Sequence, residues 1–153
     1  MDKKICIIAG SKSDEDFVKR GTDLLEKYNV PYEISFISAH RNLHKLIDYI
    51  KEKEEEGVEI FITVAGLAAH LPGAVASLTD LPVIGVPKDT EPLHGLDSLL
   101  SIVQMPRGIP VATMAVGTHG MINSCIMALR ILSLKYDWAK KIVEKIREDY
   151  AQR

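Results

Sequence analysis

Residues 59–87 read EIFITVAGLAAHLPGAVASLTDLPVIGVP. Two short apolar runs, EIFITVAG (59–66) and PVIGVP (82–87), flank LPGAVASLTD (71–80), where Pro72 suits the first turn of a helix. The runs are continuous and rich in β-branched residues, with no polar alternation. That pattern belongs to strands covered on both faces. Strand, helix and strand at this spacing predict a βαβ unit with parallel strands.

The same rhythm extends in both directions. KICIIAG (4–10) and YEISFIS (32–38) read as two earlier strands, and PVATMAVG (110–117) as a fifth. Between them run helical patterns. A helix from Ser13 places Phe17, Gly21, Leu24, Leu25 and Tyr28 on one face, with Ser13 or Asp14 as its cap; Asn29 and Pro31 end it. A second, capped by Asn42, repeats Leu43, Leu46, Ile47 and Ile50, turns charged over 51–56 and stops at Gly57. Residues 97–105 and 119–134 read as further helices, the latter with Ile122, Cys125, Ile126 and Leu129 on one face. A last helix over 136–150 carries Ile142, Ile146 and Tyr150 opposite a charged side. The expected architecture is α/β: a three-layer α/β/α sandwich around a flavodoxin-like parallel five-stranded sheet, with extra C-terminal helices, forming a single domain over 1–153.

Composition narrows the function classes. The 153 residues carry a net charge of −2, with 46% hydrophobic and 26% charged residues. That balance gives no electrostatic footprint for nucleic acid or an anionic membrane. The five apolar residues after Met1-Asp2-Lys3-Lys4 are too few for a signal-peptide core, and no run approaches the roughly 18 residues of a membrane span. Cys6 and Cys125 sit in apolar contexts without CxxC spacing, which reads as two reduced core thiols in a cytoplasmic protein.

In such sheets ligands bind beyond the carboxyl ends of the strands. Four of the five histidines, His40, His70, His94 and His119, fall on those strand-end segments, and His44 lies one helical turn past His40. After the first strand, Gly10-Ser11-Lys12-Ser13-Asp14 opens a helix. Its N–H groups and serine hydroxyls suit a phosphate, although the stretch reads equally as a capped tight turn. Asp14 suits a hydroxyl donor such as a ribose diol better than an anion. After the second strand comes Ser38-Ala39-His40-Arg41. Arg41 is either a phosphate clamp or a surface arginine; His40 is either a structural histidine or a proton-transfer group. After the third strand, GLAAHLPG is rich in small residues that let backbone approach a flat ligand. No GxGxxG, GxxxxGK[ST] or GxSxG occurs, and the histidines lack metal-ligand spacing. No cofactor and no metal are expected.

GSKSD, SAHR, AAHLPG, LPVIGVP and GLDSLLSIVQMPRGIPVAT occur in this order over nearly the whole chain, from Ile5 to about Leu134. The set closely resembles the 5-(carboxyamino)imidazole ribonucleotide mutase family of purine (IMP) biosynthesis. The resemblance implies an isomerase without metal or organic cofactor that moves a carboxylate from an exocyclic amine to the neighbouring imidazole ring carbon. By position it implies that Ser11, Asp14 and Arg41 bind the ribonucleotide, with Gly10, Ser13, Ser38 and Ala39 assisting. His40 would transfer the proton, with His70 as the second candidate. Ala65, Gly66, Leu67, Ala68 and Leu71 would wall the carboxyl group. It implies a homo-oligomer, an octamer, with helix 136–150 contributing contacts. Three positions depart from the family pattern: Asn42-Leu43 stand for threonine and proline, and Leu67 for a glycine. A related branch carboxylates aminoimidazole ribonucleotide with free carbon dioxide and carries a different third loop. A flavodoxin-like nucleotide-binding module without turnover is the alternative from another class.

Overall fold

A computed structural model describes residues 2–152. Five parallel strands form one sheet in the order β2-β1-β3-β4-β5. They are β1 (Ile5–Ala9), β2 (Tyr32–Phe36), β3 (Ile60–Ala65), β4 (Val83–Pro87) and β5 (Ala112–Thr113). The helices are α1 (Glu15–Lys27), α2 (Leu43–Glu55), α3 (Leu71–Ala76), α4 (Leu96–Val103), α5 (Thr118–Leu132) and α6 (Asp137–Ala151). Every residue of β1, β3 and β4 is buried, as their unbroken apolar runs require. The sheet's two faces divide the core. Ile5, Ile7, Ile62 and Val64 pack with α1, α5 and α6, whereas Cys6, Ile8 and Phe61 pack with α2, α3 and α4. Alternation of side chains along each strand produces this division.

Phe17, Gly21, Leu24 and Leu25 of α1 and its C-cap Tyr28 are all buried. At Gly21 a Cβ would come 2.8 Å from the Met121 carbonyl oxygen, so only glycine lets α1 and α5 approach this closely. Four expectations change. β5 covers two residues rather than 110–117. Beyond it the backbone still donates to β4, from Met114 N–H to Gly85 O and from Gly117 N–H to Pro87 O, but leaves regular pairing. α3 stops at Ala76 rather than residue 80. There Ser77 Oγ donates to Ala74 O and Thr79 Oγ accepts from Leu81 N–H, and such local bonds compete with helix. On α2 only Leu46, Ile50 and Lys53 are buried, while Leu43 and Ile47 are exposed, because the helix covers an edge of the sheet. Finally, Asn42 occupies the N-cap of α2 but its side chain makes no capping bond.

Candidate active site

Sheet order reverses between β1 and β3, and the crevice beyond their carboxyl ends holds a cleft of about 290 Å³. Its lining contains Gly10, Ser11, Ser13, Asp14, Ser38, Ala39, His40, Arg41, Ala65, Gly66, Leu67, Ala68, His70 and Leu71. Every candidate site residue named from the sequence thus meets in one place. His44, His94 and His119 do not line it. His94 instead pairs with Glu91, Nδ1 to Oε1 at 2.8 Å.

The loop after β1 is a 3-10 turn over Lys12–Asp14 capped by Ser11, and Asp14, one of the two sequence candidates, then occupies the N-cap of α1 without a side-chain capping bond there. Ser11 Oγ accepts from Ser13 N–H at 3.2 Å and lies 2.9 Å from Ser13 Oγ. Asp14 returns the bond, its Oδ2 accepting from Ser11 N–H at 3.2 Å. This reciprocal box fixes the turn. With Ser13 Oγ donating, Ser11 keeps its own hydroxyl proton for a ligand.

After β2, Arg41 N–H donates to Ser38 Oγ at 3.3 Å, which folds SAHR into a turn facing the cleft. The Arg41 guanidinium has no hydrogen bond or ion pair among the described residues. His40 and His70, from different loops, meet edge to face with centroids 4.6 Å apart and rings at 82°. His40 Nε2 and His70 Nδ1 share a hydrogen bond in which either ring is the donor, according to tautomer. Both rings are exposed.

After β3 the backbone turns sharply. Leu67 has φ +55, a left-handed conformation that glycine adopts without cost. A Cβ at Gly66 would come 2.6 Å from Thr90 Oγ1, so a larger residue there would force the Thr90 side chain to move.

That loop supplies two cleft residues that sequence reasoning missed, Lys88 and Thr90. Lys88 Nζ donates to Asp14 Oδ1 at 2.6 Å. Leu67 N–H donates to Thr90 Oγ1 at 3.4 Å. The strand-end rule pointed to this segment, but a lysine and a threonine in a polar loop carry no signal of which way they face. Among the described residues no group of three or more His, Cys, Asp or Glu side chains is arranged to hold a metal ion.

The sequence profile of the AIR carboxylase family matches residues 4–153. The chain belongs to the AIR carboxylase family. Among its relatives, the N5-carboxyaminoimidazole ribonucleotide mutase of Saccharolobus solfataricus is 49% identical over 150 residues, covering 95% of this chain and 94% of that one. The mutase of Pyrococcus abyssi is 53% identical over 146 residues, covering 95% and 83%. In three dimensions the chain is similar to PurE of Treponema denticola, with a TM-score of 0.87 at 28% identity over 97% of this chain and 91% of that one. The AIR carboxylase fold is therefore the frame on which these loops sit.

Proposed function

We propose that this chain is an N5-carboxyaminoimidazole ribonucleotide mutase, an isomerase of purine biosynthesis. The observation that carries the reading is the hydrogen-bonded His40–His70 pair, lining a cleft that also holds Ser11, Asp14 and Arg41. The mutase names of its relatives support it.

The chemistry follows from these positions. Ser11, Ser13 and the 3-10 turn hold the phosphate with Arg41, which can bind it bidentately. Asp14 accepts from the ribose hydroxyls. His40 protonates the carbamate nitrogen, the carbon–nitrogen bond breaks, and carbon dioxide separates from the amine. The neighbouring ring carbon attacks it and forms the new carbon–carbon bond. That carbon still bears its hydrogen, and His40, now neutral, removes it. One proton enters and one leaves, so the imidazole returns to its starting state. His70 holds the His40 ring or the migrating carboxyl group, and the Ala65–Leu71 loop walls that group in.

Free carbon dioxide must not escape, which calls for a closed pocket. In a single chain His40, His70 and Leu67 are exposed, so closure has to come with the bound ribonucleotide or a second copy. Leu93, Leu96, Leu100 and Val103 form an exposed apolar stripe on and beside α4, and a groove of about 440 Å³ runs along α5 and α6. A homo-oligomer, an octamer by family resemblance, would cover both. Within the chain α6 already uses Ala139 and Ile146 in the core, so only its outer face remains for subunit contacts. Light scattering is expected to give a multiple of the 17.0 kDa chain. A monomer at micromolar concentration would refute it. Among the described residues no helix is long and apolar enough to cross a membrane. A biosynthetic enzyme with two free, buried thiols fits a reducing cytoplasm, and the partner is a small ribonucleotide.

The family's own description, AIR carboxylase, favours a second reading in which free carbon dioxide is the co-substrate. An assay with the carboxylated and uncarboxylated ribonucleotides side by side separates them. The mutase turns over the first without added bicarbonate. Turnover of only the second, dependent on bicarbonate, would overturn the mutase reading.

A further inference from the structure

We propose that Lys88 is a positioning residue for the ribonucleotide site: it fixes the Asp14 carboxylate and offsets its charge, so that an anionic ligand can settle beside it. This rests on the mutase reading only for the identity of the ligand.

The geometry of the pair is specified at both ends. Asp14 is 9% exposed. Its Oδ2 accepts from Ser11 N–H and its Oδ1 from Lys88 Nζ, which leaves a further lone pair on each oxygen for a ligand hydroxyl. The Lys88 backbone is pinned in three ways. Its N–H donates to Ala65 O at 3.0 Å, and its carbonyl accepts from the fully buried Ser98 Oγ at 2.8 Å and from Thr90 Oγ1 at 3.4 Å. The backbone bonds fix where the Lys88 stem starts, and the 74 residues separating it from Asp14 make the ion pair a bridge between the loops after β1 and β4.

The charge argument gives this bridge a purpose. The ligand carries a phosphate and a carboxylate, and Asp14 presents a third negative group to it. A nearly buried carboxylate without a partner is costly, and next to an anion it is repulsive. Lys88 offsets both penalties while leaving lone pairs of the Asp14 carboxylate free to accept from a ligand. The effect belongs to binding, because neither Lys88 nor Asp14 moves a proton in the reaction.

The test compares Lys88→Met, Lys88→Arg and Asp14→Asn, alone and with Lys88→Met added to Asp14→Asn, by steady-state kinetics on the carboxylated ribonucleotide. Lys88→Met is expected to raise KM roughly 10- to 100-fold, the scale of one charge-assisted hydrogen bond, with kcat changed less than about threefold. Lys88→Arg is expected to recover most of the loss. In the Asp14→Asn background Lys88→Met is expected to add less than about threefold, because it acts through Asp14. An unchanged KM in Lys88→Met, or a full effect persisting without the Asp14 carboxylate, would overturn the inference. Calorimetry with ribose 5-phosphate reads the same tether without chemistry, and Lys88→Met is expected to weaken it by a similar factor. Equal affinity of the two proteins overturns the inference even where no turnover is seen. Absent turnover by the unmodified protein sinks the mutase reading alone.

Discussion

The His40 and His70 imidazoles share one hydrogen bond although 30 residues separate them in the chain. With one nitrogen of each ring committed to that bond, a single proton lies between them, and the two side chains act as a unit. Removing either member therefore disturbs both, but only the proton-transfer residue is indispensable. His40→Asn is expected to lower kcat by 1,000-fold or more, at or beyond the upper end of the roughly 100- to 10,000-fold that a general acid–base group supplies. His70→Asn is expected to cost less, and the double variant to be no slower than His40→Asn alone. Stopped assays on the purified variants check this. Near-normal turnover by His40→Asn would remove it from the chemistry.

Leu67 carries a local strain that a glycine would not. A leucine at φ +55 costs roughly 1–2 kcal/mol, whereas glycine's extra freedom in the unfolded chain costs about 0.4–1 kcal/mol. The side chain is 54% exposed, so little burial is lost on removing it. Leu67→Gly is thus expected to leave the thermal midpoint unchanged or raise it by about 2–4 °C. A clear drop, measured by calorimetry, would mean that the leucine side chain is covered in the assembled protein.

The layout of the site was legible because the strands announce themselves. β1, β3 and β4 are fully buried, so their runs are continuous and their ends sharp, and the residues just past those ends had to meet at one rim of the sheet. SAHR follows the less buried β2 and AAHLPG follows β3, so both belong to that rim, but it was the family resemblance that paired them. β5 was harder to bound: an edge strand is extended over more residues than it pairs, and Pro110 has no N–H to offer. Lys88 escaped for a different reason. Its partner, Asp14, sits at the N-cap of α1, where the Ser11-capped turn aims its carboxylate into the cleft, a direction that spacing alone does not give.

Acid should loosen the outer edge of the sheet. Burial opposes ionisation of Glu33 on β2, but hydrogen bonds from Lys53 and Lys3 outweigh it and lower its pKa below the ordinary 4.5. Lys53 Nζ lies 3.1 Å from Glu33 Oε1 and Lys3 Nζ 3.2 Å from Oε2. Because the folded value lies below the unfolded one, the stabilisation is fully present above the unfolded value. It is lost as pH falls through the folded value. The thermal midpoint is expected to fall between about pH 5 and pH 3, and Glu33→Gln to flatten that fall while lowering stability at neutral pH. Parallel pH profiles for the two proteins would show that the pair contributes nothing.

Isotope retention is the sharpest discriminator between moving a carboxyl group and capturing one from solution. If the Ala65–Leu71 loop closes over the site, carbon dioxide formed there meets the ring carbon before it meets water. Substrate labelled in its carbamate carbon and turned over in unlabelled bicarbonate is expected to keep most of its label in the product. A carboxylase drawing on dissolved carbon dioxide would lose it. Leu67 is the weakest point of the wall, since it lines the cleft yet remains 54% exposed. Yet its N–H still donates to Thr90 Oγ1, so the backbone that lines the pocket is tied to the loop after β4 whatever the side chain is. Leu67→Gly is therefore expected to retain label as well as the unmodified protein. Extensive loss from the unmodified protein, beyond spontaneous breakdown of the carbamate, would show an open site and overturn the mutase reading.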